Sequence, residues 1–355
     1  MKFSKIKAVA IGLILASLAS PTIYASSDES VECAVEVRSR LWELLVGDEE
    51  TSGEDERVYL IPGGQVFGTK IKQAHPSVTD AGECEGLSVG DVILSIDNKD
   101  VNSLSDVKKA LARSEGVARL EVMRGKDTVD LRVALKDVGG EYKLGCTLRE
   151  CAAGIGTVTY IDPGTGEFGG LGHGIYDTGC DVPIEITGGI ATGVILGSIE
   201  RGESGKAGEL SGILTEKELG TIDTNCEVGV FGRFKSVDKS AETLPVAHRC
   251  EVTEGAAEII STLRNGKRLH YDIEIQDIDH SSTGTKSFKI KVTDPALLAI
   301  SGGIVRGMSG STIIQNGKIV GAVTHVMIND PTMGYGIFIE NMLNAARNQV
   351  QPKAA

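Results

Sequence analysis

The chain alternates between short runs of β-branched or alternating apolar residues and clusters of Gly, Pro, Asn and Asp, a pattern of short strands joined by tight turns. It predicts strands near residues 118–122, 154–161, 193–199, 228–234, 257–262, 271–278, 287–292 and 318–326. Helical spacing is confined to three places. Residues 31–46 carry Val35, Val37, Leu41, Leu44 and Leu45 beside the lone Trp42; residues 104–112 form a second stretch and residues 339–350 a third. Between the first helix and the strands, residues 47–56 are acidic and poor in apolar side chains, which predicts a solvated linker.

The first 25 residues read differently. Lys2, Lys5 and Lys7 precede an apolar run over residues 8–19, and small residues follow up to Ala25. That is the make-up of an export signal, too short for a comfortable span and so expected to be cleaved, or else kept as an anchor. Either outcome places the body of the protein outside the cytoplasm. The expected division is a leader over 1–25, a helix and linker over 26–56, a small domain over 57–138 and a larger β domain over 139–355.

Composition narrows the class. The 355 residues include 45 glycines with no repeat period, and only 4% are aromatic, which fits a mainly β protein with many turns. The net charge of −13 comes without a clustered basic patch, so nucleic acid is not an expected partner. The seven cysteines (Cys33, Cys84, Cys146, Cys151, Cys180, Cys226 and Cys250) are an odd number, leaving at least one unpaired, and the sequence does not assign pairs. Cys146 and Cys151 have no matching Cys or His pair nearby, so no metal and no cofactor are read here.

Within 57–138, Gly86-Leu87-Ser88-Val89-Gly90-Asp91-Val92-Ile93-Leu94-Ser95-Ile96-Asp97, followed by a helix, resembles the most distinctive part of PDZ domains. That resemblance implies a groove that takes an extended peptide as an added strand. The Gly-rich loop ahead of it would supply N–H donors from Gly63, Gly64, Val66, Phe67 and Gly68, although it departs from the usual G-L-G-F type.

The chemistry is concentrated in Gly307-Met308-Ser309-Gly310-Ser311 and in Gly169-Gly170-Leu171-Gly172-His173-Gly174. Glycines at 307 and 310 allow a tight turn whose N–H groups converge beside a hydroxyl, the arrangement an oxyanion needs. Ser309 is the candidate nucleophile and Ser311 its competitor. Among six histidines, His173 has the best claim as base, and His325, inside an apolar strand pattern, reads as a core residue. Histidine before serine is the chymotrypsin order.

Several long strings, among them G-I-G-T-V-T-Y-I-D-P, G-L-G-H-G-I, V-T-D-P-A-L-L, G-G-I-V-R-G-M-S-G-S and I-V-G-A-V-T-H-V, resemble the SpoIVB peptidase family. The resemblance implies an exported serine endopeptidase with a PDZ-like domain and a chymotrypsin-like double β-barrel. It also implies a signalling role in endospore formation, with cleavage of itself and of a membrane-bound regulator. Asp294 matches the family's acidic position; an Asp ahead of Pro295 also suits a helix N-cap, and the two roles are compatible. The oxyanion hole would be the N–H groups of Gly307 and Ser309. One departure is Thr312, which stands where the family motif has proline. The competing reading is a non-catalytic PDZ scaffold of the cell envelope; a structural envelope protein leaves the G-M-S-G-S constellation unexplained.

Overall fold

The computed structural model describes residues 57–350 apart from residue 265. The leader, Cys33, the helix expected over 31–46 and the acidic stretch 47–56 lie outside the described residues. In chain order the first strands are β1 (Tyr59–Pro62), β2 (Val66–Asp80), β3 (Val92–Ile96), β4 (Lys99–Asp100), β5 (Val117–Arg124), β6 (Asp127–Ala134), β7 (Lys136–Val138) and β8 (Glu141–Lys143). There follow β9 (Thr147–Ile161), β10 (Glu167–Gly170), β11 (Ile186–Glu200), β12 (Gly208–Cys226), β13 (Gly229–Phe234) and β14 (Leu244–Pro245). The last are β15 (Gly255–Thr262), β16 (Arg268–Gln276), β17 (Phe288–Val292), β18 (Val305–Arg306), β19 (Thr312–Gln315), β20 (Lys318–Met327) and β21 (Asp330–Phe338). The helices are α1 (Leu104–Leu111), α2 (Pro295–Ser301) and α3 (Ile339–Val350).

Six of these strands close a ring by antiparallel pairing: β2 with β9, β9 with β10, β10 with β13, β13 with β12, β12 with β11, and β11 back to β2. Their inward residues alternate along each strand, so Phe67, Ile71, Val158, Phe168 and Ile222 meet in one core. Phe67 stands edge-on to Phe168 with ring centroids 5.6 Å apart, a favoured aromatic geometry. A second closed barrel follows in the order β15-β16-β17-β21-β20-β19, filled by Ile259, Ile273, Phe288, Ile290, Ile313 and Val323. Closure leaves neither ring with a free edge. The mainly β, two-barrel architecture expected from the sequence is therefore present.

The PDZ-like part is built on the far ends of β2 and β9. There Ser77 and Val78 pair with Arg149 and Leu148, and Ser77 also pairs with Val92 of β3. A separate core forms from Val78, Ile93, Ile96, Leu120 and Val122 under α1. Helix α1 starts at Ser103, whose hydroxyl accepts from the Asp106 N–H at 3.1 Å, and it buries Val107, Ala110 and Leu111.

Pairing does not divide at 138/139. Strands β2 and β9 each run 15 residues, about 50 Å, long enough to serve both the first barrel and the PDZ-like core. The register shifts between Lys72 and Ser77, where one role ends and the other begins. The PDZ-like unit is thus inserted between the first two strands of the barrel. This corrects the expected peptide-binding loop. Val66, Phe67 and Gly68 pair with Thr157, Gly156 and Ile155 of β9, with Phe67 fully buried in the barrel. The N–H groups of Gly63 and Gly64 are spent on the carbonyls of Thr159 and Val158. Donors held in a barrel wall are not available to a peptide terminus.

Candidate active site

Ser309 sits in the turn between β18 and β19, and the turn requires its glycines. Gly307 and Gly310 both have φ of +96°. A Cβ on Gly310 would fall 1.9 Å from the Thr157 carbonyl oxygen and 2.5 Å from the Leu171 nitrogen, so nothing larger fits. The backbone accounts are uneven. The N–H groups of Met308, Gly310 and Ser311 donate to Val305, Val323 and Met308 carbonyls. Those of Gly307 and Ser309 have no such acceptor among the described residues, and these are the two N–H groups expected for an oxyanion hole.

The two candidate serines separate cleanly. Ser311 is fully buried, with its Oγ donating to Ser261 Oγ at 3.0 Å, out of reach of any substrate. Ser309 is half-buried, and its Oγ donates to the Thr324 carbonyl at 2.8 Å.

His173 follows a turn in which Leu171 and Gly172 both take φ of +68°. The turn presses on the serine side: Leu171 N lies against Gly310, and a Cβ on Gly172 would come 3.0 Å from Thr324 Cγ2. The ring is oriented locally. Its Nδ1 lies 2.8 Å from the Gly174 carbonyl, and a carbonyl only accepts, so Nδ1 carries the proton and Nε2 holds the lone pair. Burial pushes the His173 pKa below the ordinary histidine range, partly opposed by that bond. The ring is a neutral base at physiological pH.

Buried threonines of β9 join the two turns. Thr157 donates its N–H to the Ser309 carbonyl (2.9 Å) and its Oγ1 to the Gly307 carbonyl (2.8 Å), while its own carbonyl accepts from Leu171 N–H (3.0 Å). Thr159 Oγ1 donates to the Gly310 carbonyl at 2.9 Å, and Thr312 Oγ1 donates to the Thr159 carbonyl at 2.6 Å. At position 312 threonine therefore supplies a tie that a proline could not.

His325 lies beside His173 with ring centroids 5.1 Å apart and planes tilted by 38°. This corrects its reading as a core histidine. Although its strand is apolar, the ring is half-buried and lines the same cleft of about 380 Å³, together with Thr69, Ile155 and Tyr176. Burial, then the neighbouring His173 and Lys286, push its pKa down to about 4. An adjoining cleft of about 300 Å³ shares Gly154 and Ile155 and continues to Arg306 and Gly307.

Asp294 takes the other of its two expected roles. Its Oδ1 accepts from Leu297 N–H at 2.8 Å, capping α2, and its Oδ2 accepts from Asp272 N–H at 3.4 Å. The expected bond from this carboxylate to the His173 ring is not made; the Gly174 carbonyl occupies that role at Nδ1. The loop after His173 is held from two sides. Asn225 bonds the backbone of Ile175 and Ile184, and buried Asp177 accepts from Arg149 at 2.6 Å and from Ser77 at 2.5 Å. Sequence reading missed Thr157, Thr159, Asn225 and Asp177. The one available signal was the T-V-T alternation of β9, which places two threonines on a single face.

Two antiparallel six-stranded barrels, with the serine-bearing turn of one joined through Thr157 to the turn that leads into the histidine of the other, define a two-barrel serine peptidase. The chain belongs to the SpoIVB peptidase S55 family, whose description matches residues 140–343. A PDZ domain matches residues 64–135, a span that begins just ahead of β2, the strand closing the first barrel. Its substrates are accordingly proteins or peptides. No curated protein matches the chain. Among solved structures, an inactive serine-to-alanine mutant of Rv3671c from M. tuberculosis H37Rv is 11% identical, with a TM-score of 0.30 over 56% of this chain and 84% of that one. That likeness is too slight to bear on fold or activity.

Proposed function

We propose that the protein is an exported endopeptidase in which Ser309 is the nucleophile and His173 Nε2 the general base, with Gly307 and Ser309 N–H groups receiving the oxyanion. The observation that carries this reading is the threonine splint: Thr157 bonds both the serine turn and the histidine turn, so the two groups are held as one unit. In the resting state the Ser309 hydroxyl is turned toward Thr324 O. A χ1 rotation brings it to the His173 lone pair when a substrate carbonyl arrives, and the proton passes to Nε2 as the Oγ–carbon bond forms. The imidazolium then gives that proton to the leaving amine.

The family resemblance extends the proposal to the setting. The leader takes the enzyme across the cytoplasmic membrane, cleaved or retained as an anchor. There it cuts itself and a membrane-bound regulatory protein during endospore formation, with a peptide ligand on the PDZ-like unit. The test is incubation of purified full chain with mass spectrometry of its N-terminus and fragments, alongside fluorophosphonate labelling. Self-cleavage and labelling should both vanish in Ser309→Ala while the fold persists. A non-catalytic scaffold would show neither in the unaltered protein.

A further inference from the structure

Two imidazoles open onto one cleft, and their free nitrogens differ in kind. His173 has its proton fixed on Nδ1 by the Gly174 carbonyl, so it shows the cleft a lone pair. His325 has the reverse arrangement. Its Nδ1 is sealed from solvent with no hydrogen-bond partner, while its Nε2 is not among the sealed atoms and the ring lines the cleft. A buried donor without an acceptor is the rarer and costlier orphan, so the neutral ring keeps its lone pair on the buried Nδ1 and its proton on the open Nε2. A protonated ring would bury an N–H donor as well as a charge. Burial, His173 and Lys286 all disfavour that form.

Position adds to this. His325 directly follows Thr324, whose carbonyl accepts the Ser309 hydroxyl at 2.8 Å. The tilted, 5.1 Å packing on His173 holds the His325 ring in place without an edge-to-edge bond that would consume its Nε2–H. A neutral, desolvated donor one residue from the nucleophile's resting partner is placed to meet a polar group of whatever lies beside Ser309. In a peptidase the acceptor groups of the bound chain are its carbonyl oxygens.

We infer that His325 is a substrate-contacting residue: its Nε2–H donates a hydrogen bond to a carbonyl oxygen of the peptide bound beside His173. This rests on the Ser309–His173 reading above. The bond orders the peptide against the nucleophile and requires no proton transfer from His325 itself. The variant His325→Gln retains an amide donor near the Nε2 position, whereas His325→Asn puts its amide near the buried Nδ1 position and leaves the cleft without a donor.

The test compares His325→Gln with His325→Asn in the full chain, using the Ser309→Ala full chain as protein substrate and a fluorophosphonate as a probe that makes no peptide-carbonyl contact. Thermal melting checks that each variant is folded. His325→Gln should cleave within about 3-fold of the unaltered enzyme, and His325→Asn, which no longer holds the peptide in position, should lose on the order of 100-fold in kcat/KM, with both labelled at the unaltered rate. Equal cleavage by the two variants, at either level, overturns the inference. So does a loss of labelling that tracks the loss of cleavage, because His325 would then act through His173. Absence of labelling in the unaltered enzyme sinks the Ser309–His173 reading itself, a separate and recognisable result.

Discussion

The backbone N–H of Thr157 donates to the carbonyl of Ser309 at 2.9 Å, joining the first barrel's long strand β9 to the turn that carries the candidate nucleophile. The same residue's hydroxyl holds Gly307, one of the two candidate oxyanion donors, through its carbonyl. Those two carbonyls belong to the peptide units that carry the Met308 and Gly310 N–H groups, on either side of the Ser309 N–H, so Thr157 fixes the turn around that donor without touching substrate. Thr157→Val keeps the volume and removes one buried hydroxyl, leaving the Gly307 carbonyl short of a partner. Stability should fall by about 1–2 kcal/mol, read by thermal melting, and kcat/KM should fall by roughly 10-fold. Unchanged kinetics would show that the turn is self-supporting.

Asp294 separates a cap from a catalytic acid. Its carboxylate caps α2 through Leu297 N–H, and asparagine is an equally good N-cap. Asp294→Asn should therefore retain activity within a few-fold, while Asp294→Ala should lose about 1 kcal/mol of stability. A triad carboxylate would behave differently, its amide variant losing about 10⁴ in kcat. A loss of that size in Asp294→Asn would restore the carboxylate to the catalytic unit.

Much of this site was legible along the chain. Turn glycines, the Gly-flanked histidine and the mainly β class follow from local spacing, because φ > 0 positions and strand alternation are written in consecutive residues, whereas the two-barrel arrangement came from the family resemblance. The insertion point of the PDZ-like unit was not legible. Strands β2 and β9 change partners partway along, and a strand that serves two cores has the same alternation as a strand that serves one. His325 was misread for a related reason: its neighbours Val323 and Thr324 are buried, but the strand reaches the cleft at that residue. Thr157 is informative only once its distant partners at 171, 307 and 309 are in place.

Asp177 ties the loop after His173 to the border of the PDZ-like unit. Burial raises its pKa, but the Ser77 hydroxyl, the Thr178 N–H and Arg149 outweigh that effect and hold it below the usual carboxylate range. Removing the carboxylate would strand Arg149, whose Nε already lacks a partner. Asp177→Ala should cost about 2–3 kcal/mol, less than the roughly 3–5 kcal/mol for a fully buried pair because the Arg149 side chain reaches solvent. Hydrogen exchange should quicken selectively over residues 174–185. Uniform quickening across both barrels would instead mean that the pair stabilises the whole fold without singling out the loop.

The pH response follows from the two imidazoles. His173 lies below the ordinary histidine range, and His325 lies at about 4. The base must be neutral to accept the serine proton, so kcat/KM should hold level down to about pH 6.5 and fall only as pH drops through the lowered His173 pKa. Stability moves in the same direction for a different reason. The unfolded chain binds these protons from about pH 6.5 downward, whereas the folded chain resists them, so falling pH favours the unfolded state between about 6.5 and 4. His325→Phe removes one of the resisting groups and should flatten the decline in melting temperature across that window. An acid limb centred at about pH 7 or above would show that His173 is not the neutral buried base described here.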